Sequence, residues 1–534
     1  MFDDRSNLRQ FVLRVVNIET HKEERSLVRN RPCSRYTWNP DGRRIAFFCS
    51  GGESREFFLW NLDTGKLYQI NVPWTRGATW VVWSPNGRYL AYKSANKSGI
   101  TEFVVVDADA FSVFRMPLPK SASVISWAPD SERFALLDSN QPNSLEVIDL
   151  RGQLLGSWKL PSDIKAKSVL WAPRSERLVV SSVTQTPHQE KIGLFNLKNG
   201  HFEALAVLQN HLYDVLWAPN EESVYYQDDL PEGRPIYRLH LGSRRVQSVG
   251  LSGFSEMRGI TSDSKVLIEM HRSTRPEAWY RVWLEKGREE LIYQQTSPSL
   301  PEIPAHTVWI NSLDNFRIPL IEYRTPKPLS PPAAVIYCHG GRGGFSRIAP
   351  MWYPVDGAHI LLREGVDYLS VNFRGSGGYG NALYEAGNPE TSTQDILAAV
   401  GYVHNTLKVP YERIALFGDS TGASLVLGAA RQEPTHIGIV FLAALQIFDE
   451  SILNHPYIGH PRRIILVHPK DDSNSLAESR KIVEKALGPE ATNKAVFSEY
   501  EVDDEHQLIN IASWAAMDEV LLRELKPPTI NTTR

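Results

Sequence analysis

The stretch Arg413-Ile414-Ala415-Leu416-Phe417-Gly418-Asp419-Ser420-Thr421-Gly422-Ala423-Ser424-Leu425 decides the fold of the second half of the chain. Arg413 to Phe417 reads as a buried strand, and the Ala/Leu-rich run Thr421 to Arg431 as a helix. Gly418-Asp419-Ser420-Thr421-Gly422 sits between them. A chance Gly-x-Ser-x-Gly turns up in a chain of this length with a probability of about 0.15. The flanks therefore carry the weight: a sharp strand-to-helix turn stands the Ser420 hydroxyl above the carboxyl edge of a sheet.

Around this turn, strands alternate with helical segments. Thr307 to Leu320 reads as a hairpin. Ala333 to Cys338, Val366 to Phe373, Arg463 to Val467 and Ala495 to Tyr500 read as strands, and Ser392 to Leu407 and Ser475 to Leu487 as helices. Such alternation implies a doubly wound, mostly parallel sheet. With the serine turn it predicts an α/β-hydrolase domain over 301–534.

A serine hydroxyl is a poor nucleophile without a base, and the base needs a carboxylate to orient it. In this fold the chain order is Ser, then Asp or Glu, then His. Downstream of Ser420 stand His436, His455, His460, His468 and His506. His506 follows the last strand and precedes the last helix, where the fold places its base. The acid should follow the strand at 463–467, where Asp471 and Asp472 both stand. Oxyanion donors are expected from the Thr421 backbone N–H and from the glycine-rich loop His339-Gly340-Gly341-Arg342-Gly343-Gly344. Gly375-Ser376-Gly377-Gly378-Tyr379-Gly380 matches a dinucleotide-binding pattern, but an irregular segment to about Thr391 follows it instead of a helix, so no nucleotide is expected. No metal or cofactor motif is present.

The first half is a repeat. Trp38-Asn39-Pro40-Asp41-Gly42, Trp83-Ser84-Pro85-Asn86-Gly87, Trp127-Ala128-Pro129-Asp130-Ser131, Trp171-Ala172-Pro173-Arg174-Ser175 and Trp217-Ala218-Pro219-Asn220 recur at spacings of 45, 44, 44 and 46. A weaker copy is Ile260-Thr261-Ser262-Asp263-Ser264. Pro presets φ, and Asp, Asn or Gly tolerate the rest of the turn. A strand ending in Trp, a turn and three more strands per 40–50 residues is the period of a propeller blade. The expectation is an all-β propeller over 1–300 with six or seven four-stranded blades. The Trp residues should pack between blades, and Gln10 to Val28 should add one further pair of strands.

At 534 residues the chain exceeds the roughly 250–300 that one core supports. A net charge of −3 suggests neither nucleic acid nor an anionic membrane as partner. Cys33, Cys49 and Cys338 are too few for a disulfide framework and suit a reducing compartment. The longest apolar run, Ile437 to Phe448, has 12 residues, against about 20 for a membrane span. No secretory signal opens the sequence. A cytoplasmic location is expected, and a homo-oligomer is compatible with the sequence.

These segments together resemble the prolyl oligopeptidase family of serine peptidases, in its acylaminoacyl-peptidase-like branch. Asp314 to Pro319 resembles the family's entry hairpin, and His339-Gly340-Gly341 its oxyanion loop. Asn372-Phe373-Arg374-Gly375-Ser376-Gly377-Gly378-Tyr379-Gly380 is close to a family signature, and Asp395 stands where a structural Asp follows it. His468 to Asp472 resembles the acid loop in a register that selects Asp472, and Asp504-Glu505-His506 resembles the loop of the base. The resemblance implies a triad of Ser420, His506 and Asp472, with Gly340, Gly341 and Thr421 holding the oxyanion. It also implies a propeller that admits short peptides or acyl-peptides. Ala423, Pro469, Glu505 and Gln507 depart from the family pattern, and the segment 445–462 is short. An esterase, amidase or acyl-transfer enzyme acting on a peptide-like metabolite, or an inactive binding protein of the same fold, is the alternative.

Overall fold

The computed structural model describes residues 11–525 apart from 18, 21, 30–32, 52–53, 73–75, 96–100, 117–121, 139, 186–187, 209, 231–232, 250–253, 261–264, 273–274, 284–287, 295–304, 342–343, 345, 347–357, 448, 454, 457, 470–474 and 503–510. The first half holds six four-stranded antiparallel sheets, over 33–70, 76–116, 122–159, 164–207, 211–248 and 254–294, each with its strands in sequence order. They are the six blades of a propeller. A two-stranded sheet, Phe11–Val16 paired with Glu23–Arg29, precedes them. Of the weakest repeat copy, only Ile260 lies within the described residues.

The recurring Trp has a defined task. The indole N–H of Trp83 donates to Thr37 O at 3.4 Å, that of Trp127 to Val82 O at 3.3 Å and that of Trp217 to Leu170 O at 3.1 Å. Each acceptor directly precedes the Trp of the blade before, so the repeat length is also the length of the contact. Trp171 differs and bonds Ser175 O in its own turn. An arginine six residues after a Trp adds a second link. Arg44 lies over Trp83, Arg133 over Trp171 and Arg177 over Trp217, at 5.9, 5.2 and 5.6 Å. The same three arginines pair with Asp109, Glu176 and Glu221 of the next blade. Trp38 departs from the expected packing and is 50% exposed, because no four-stranded blade precedes it in the chain.

The two-stranded sheet stands there instead. Val15, Leu13 and Leu27 pack with Ile45, Phe47, Phe58 and Trp60 of the first blade. The Arg25 guanidinium donates to Asp63 O, while Glu19 at the hairpin turn pairs with Arg281 of the sixth blade at 2.6 Å. The hairpin thus bridges the two ends of the blade series.

The cysteine reading needs correction. Cys33 and Cys49 form a disulfide, because antiparallel pairing sets them directly opposite with Cα atoms 4.0 Å apart. Cysteine count therefore says nothing about compartment. Among the described residues no helix is long and apolar enough to cross a membrane.

The second half is one eight-stranded sheet: β1 (Ala305–Asn311), β2 (Arg317–Tyr323), β3 (Ala334–Cys338), β4 (Asp367–Val371), β5 (Ile414–Asp419), β6 (Ile439–Ala443), β7 (Arg463–Pro469) and β8 (Phe497–Val502). Their order is β1-β2-β4-β3-β5-β6-β7-β8, parallel from β4 onward. The helices are α1 (Ala358–Arg363), α2 (Asn381–Glu385), α3 (Pro389–Asn405), α4 (Thr421–Gln432), α5 (Leu476–Leu487) and α6 (Ile511–Leu525). Side chains alternate across a strand, so each parallel strand feeds two cores. Ile336, Leu416, Val440 and Leu466 meet α3, α4 and α5 on one face. Val335, Phe417, Phe441 and Ile465 meet α1 and α6 on the other. β6 falls within the apolar run 437–448, which the sequence reading had not assigned to a strand. α2 occupies part of the segment read as irregular.

Two outcomes follow from this packing. Trp217→Ala should cost about 3–5 kcal/mol, from the lost ring volume and the lost bond to Leu170, read in denaturant melts of the whole chain. Asp518 in α6 is 2% exposed, and its Oδ1 has no partner among the described residues. Burial pushes its carboxyl up from 3.8 to about 8. A raised carboxyl favours the folded state below the unfolded value and costs stability as pH climbs through the folded one. Asp518→Asn should therefore raise the melting temperature, with a gain that grows between about pH 4 and pH 8 and then levels.

Candidate active site

β5 delivers Ser420 to the carboxyl edge of the sheet, beside β3 and β6. Ser420 has φ 51 and ψ −117, a conformation that a residue with a side chain adopts only when its surroundings force it. The forcing is visible on both flanks. A Cβ on Gly418 would lie 2.4 Å from Gly422 O, and one on Gly422 would lie 2.0 Å from Cys338 O. The Ser420 N–H donates to Ala443 O at 2.9 Å, which ties the turn to β6. The Ser420 side chain does not cap α4. The first-turn N–H groups of α4, Thr421 first, lie at the positive end of the helix.

The glycine-rich loop leaves β3 at Cys338 and passes close to this turn. A Cβ on Gly340 would sit 3.2 Å from Ser420 Cβ. Gly341 follows with φ +74. Ser420, Thr421 and Gly340 are thus neighbours, with Gly341 next in the chain. His339 is buried, stacks on Phe373 at 4.5 Å, and sets Nε2 2.8 Å from Ser376 Oγ. Asn372 clasps Ser346 through its backbone N–H and C=O, and the Gly377 N–H donates to Gly344 O at 3.0 Å. The segment 372–380 therefore braces His339, Gly344 and Ser346.

A buried ion pair anchors the brace. The Arg374 backbone N–H and guanidinium both donate to Asp395, the latter at 2.7 Å. Arg374 also reaches Asp314 Oδ2 at 2.5 Å and Ser312 Oγ at 3.1 Å. Asp395 is fully buried, and burial pushes its carboxyl up, while the Arg374 and Ser312 donors pull it back toward the charged form. α3, which carries Asp395, is started by an Asn388–Thr391 capping box with Pro389 in its first turn.

Asp471, Asp472 and His506 lie outside the described residues. The elements that flank them are described. β7 ends at Pro469, and α5 begins after the Ser475 cap, which accepts from the Glu478 N–H. β8 ends at Val502, and α6 begins at Ile511. Among the described residues no group of three or more His, Cys, Asp or Glu is arranged to hold a metal ion. Tyr337 is not singled out by the sequence, since nothing in its local sequence marks a contact made to Asp419, 82 residues away.

Residues 355–444 match the sequence model of the prolyl oligopeptidase family, a segment that contains the brace, the serine turn and β6. No curated protein matches the chain. Among solved structures, a chain from a structural and mechanistic analysis of two prolyl endopeptidases is similar to this one. The alignment covers 93% of this chain and 90% of that one at 15% identity, with a TM-score of 0.66. At that identity the likeness is one of fold, and it spans both propeller and hydrolase sheet. The family match covers residues 355–444 alone, and the likeness to the solved structure shows a shared fold.

Gly422→Ala tests the serine turn directly. The added methyl group meets backbone on β3, so the variant should lose at least about 3 kcal/mol or fail to fold, as measured by chemical denaturation.

Proposed function

We propose that Ser420 is the nucleophile of a peptidase that cleaves short peptides or acyl-peptides through an acyl-enzyme. The observation that carries this is the forced turn at Ser420 with a glycine loop braced against it. His506 would take the Ser420 proton and later return it to the leaving amine, and Asp472 would orient the imidazole. The N–H groups of Gly340, Gly341 and Thr421 would hold the oxyanion.

Strand order supports this assignment. β6, β7 and β8 follow β5 in sequence across the sheet, and all four run parallel. With strands about 4.8 Å apart, the chain leaves β7 about 10 Å and β8 about 14 Å from the serine turn, on the same edge. Loops of the lengths present here can reach it. An acylaminoacyl-type specificity rests on the loop beginning His339-Gly340-Gly341. Gating by the 1–300 unit over the 301–534 unit is supported by α2, which approaches the strand His188–Asn196 of the fourth blade.

A fluorophosphonate probe should label the wild-type chain, and Ser420→Ala and His506→Ala should abolish labelling. Asp472→Asn should slow turnover by on the order of 10³–10⁴, with Asp471→Asn within a few-fold of wild type. Acyl-alanyl anilides should be better substrates than p-nitrophenyl esters. An unlabelled wild type would remove Ser420 as a nucleophile.

A further inference from the structure

We propose that Tyr337 and Asp419 form a positioning pair that holds the oxyanion loop in register with the nucleophile. This deepens the reading of Ser420 above and rests on it. Tyr337 and Asp419 lie at the carboxyl ends of β3 and β5, which run parallel with Tyr337 opposite Phe417 and Cys338 opposite Gly418. The alternation of side chains puts Tyr337, Phe417 and Asp419 on one face of the sheet. Tyr337 is 1% exposed and wedged against Tyr368 and Phe417, with ring centroids 6.2 and 5.4 Å away. Its hydroxyl donates to Asp419 Oδ1 at 2.8 Å, which fixes the rotation of the carboxylate.

The other carboxylate oxygen faces the loop. A Cβ on Gly340 would lie 2.8 Å from Asp419 Oδ2 and 3.1 Å from Asp419 O. The Asp419 side chain therefore rests against the backbone of Gly340, the residue that also abuts Ser420. A glycine-rich segment loses the most freedom on ordering, so it needs outside contacts to stay in one conformation. Oxyanion donors work only if they are aimed before the charge develops. The pair supplies that constraint: a rigid ring on β3 sets the Asp419 side chain, and Asp419 sets where Gly340 can lie. Asp419 acts through Gly340 and is a positioning residue.

The test uses the full chain with two readouts. One is the rate constant for fluorophosphonate inactivation together with kcat and KM. The other is hydrogen–deuterium exchange of the peptide spanning 338–346. Asp419→Ala should lower the inactivation rate by about 10–100-fold, reduce kcat with KM within about twofold, and speed exchange in 338–346. Tyr337→Phe should shift both in the same direction by less. Asp419→Asn, which keeps an acceptor and the shape, should recover part of both losses. Unchanged loop exchange in Asp419→Ala overturns the proposal, even if that variant melts earlier. So does an Asp419→Asn variant as impaired as Asp419→Ala in both readouts, since charge would then be the operative property. If the wild type is not labelled, the nucleophile reading fails separately, and the exchange of 338–346 still decides the pair.

Discussion

The close approach of α4 to the end of β3 is the constraint on which the rest of the site depends. There is no room for even one carbon between Gly422 and the Cys338 carbonyl. The helix can therefore begin at once after β5 only with glycine at that position, and Ser420 is left in a conformation it would not otherwise adopt. The same approach delivers the chain leaving β3 alongside the turn. The candidate nucleophile and the candidate oxyanion donors are thus brought together by one backbone contact, and side-chain contacts then refine their placement.

Refinement comes from a polar scaffold that runs away from the sheet. Arg374 joins the entry hairpin, the segment after β4 and helix α3 through Asp314, Ser312, Thr391 and Asp395. Pairs this deeply buried repay their desolvation only with several hydrogen bonds apiece, which both members make. From there Ser376 and Gly377 reach the loop through His339 and Gly344. The segment that looks most like a nucleotide-binding motif is glycine-rich because its backbone turns through the left-handed region, with φ +97 at Gly375, +74 at Gly378 and +88 at Gly380. A Cβ on Gly387 would lie 2.2 Å from Gly375 Cα.

The propeller was legible because each blade repeats one chemical device at one spacing, and the Trp-to-carbonyl bond makes that spacing a physical distance between blades. Trp38 broke the pattern because the element next to it is not a four-stranded blade. In the second half, strong alternation of buried strands and helices placed most elements to within a few residues. β6 was missed because Ile439 to Ala443 is apolar on both faces and sits inside a longer apolar run, where periodicity carries no information. The Cys33–Cys49 bridge was hidden because pairing depends on strand register, which composition does not encode. Ser420, Thr421 and Gly340 could be named from local sequence. Tyr337 could not, because its partner lies 82 residues away and only the parallel pairing of β3 and β5 brings the two together. Asp472 and His506 were named from chain order and resemblance.

The hairpin at the start of the propeller also sets an order of events. Glu19 meets Arg281 across 262 residues of sequence, while the blades between them are each made of neighbouring strands. On a growing chain the local sheets can form as they emerge, but the ring has no closing partner for its first strands until the sixth blade has been synthesised. Leu13, Val15 and Leu27 of the hairpin pack against the first blade, and the Glu19–Arg281 pair is the contact that waits for the sixth. Closure is therefore a late, long-range step that joins the oldest part of the nascent propeller to the newest, just before the hydrolase sheet begins to appear.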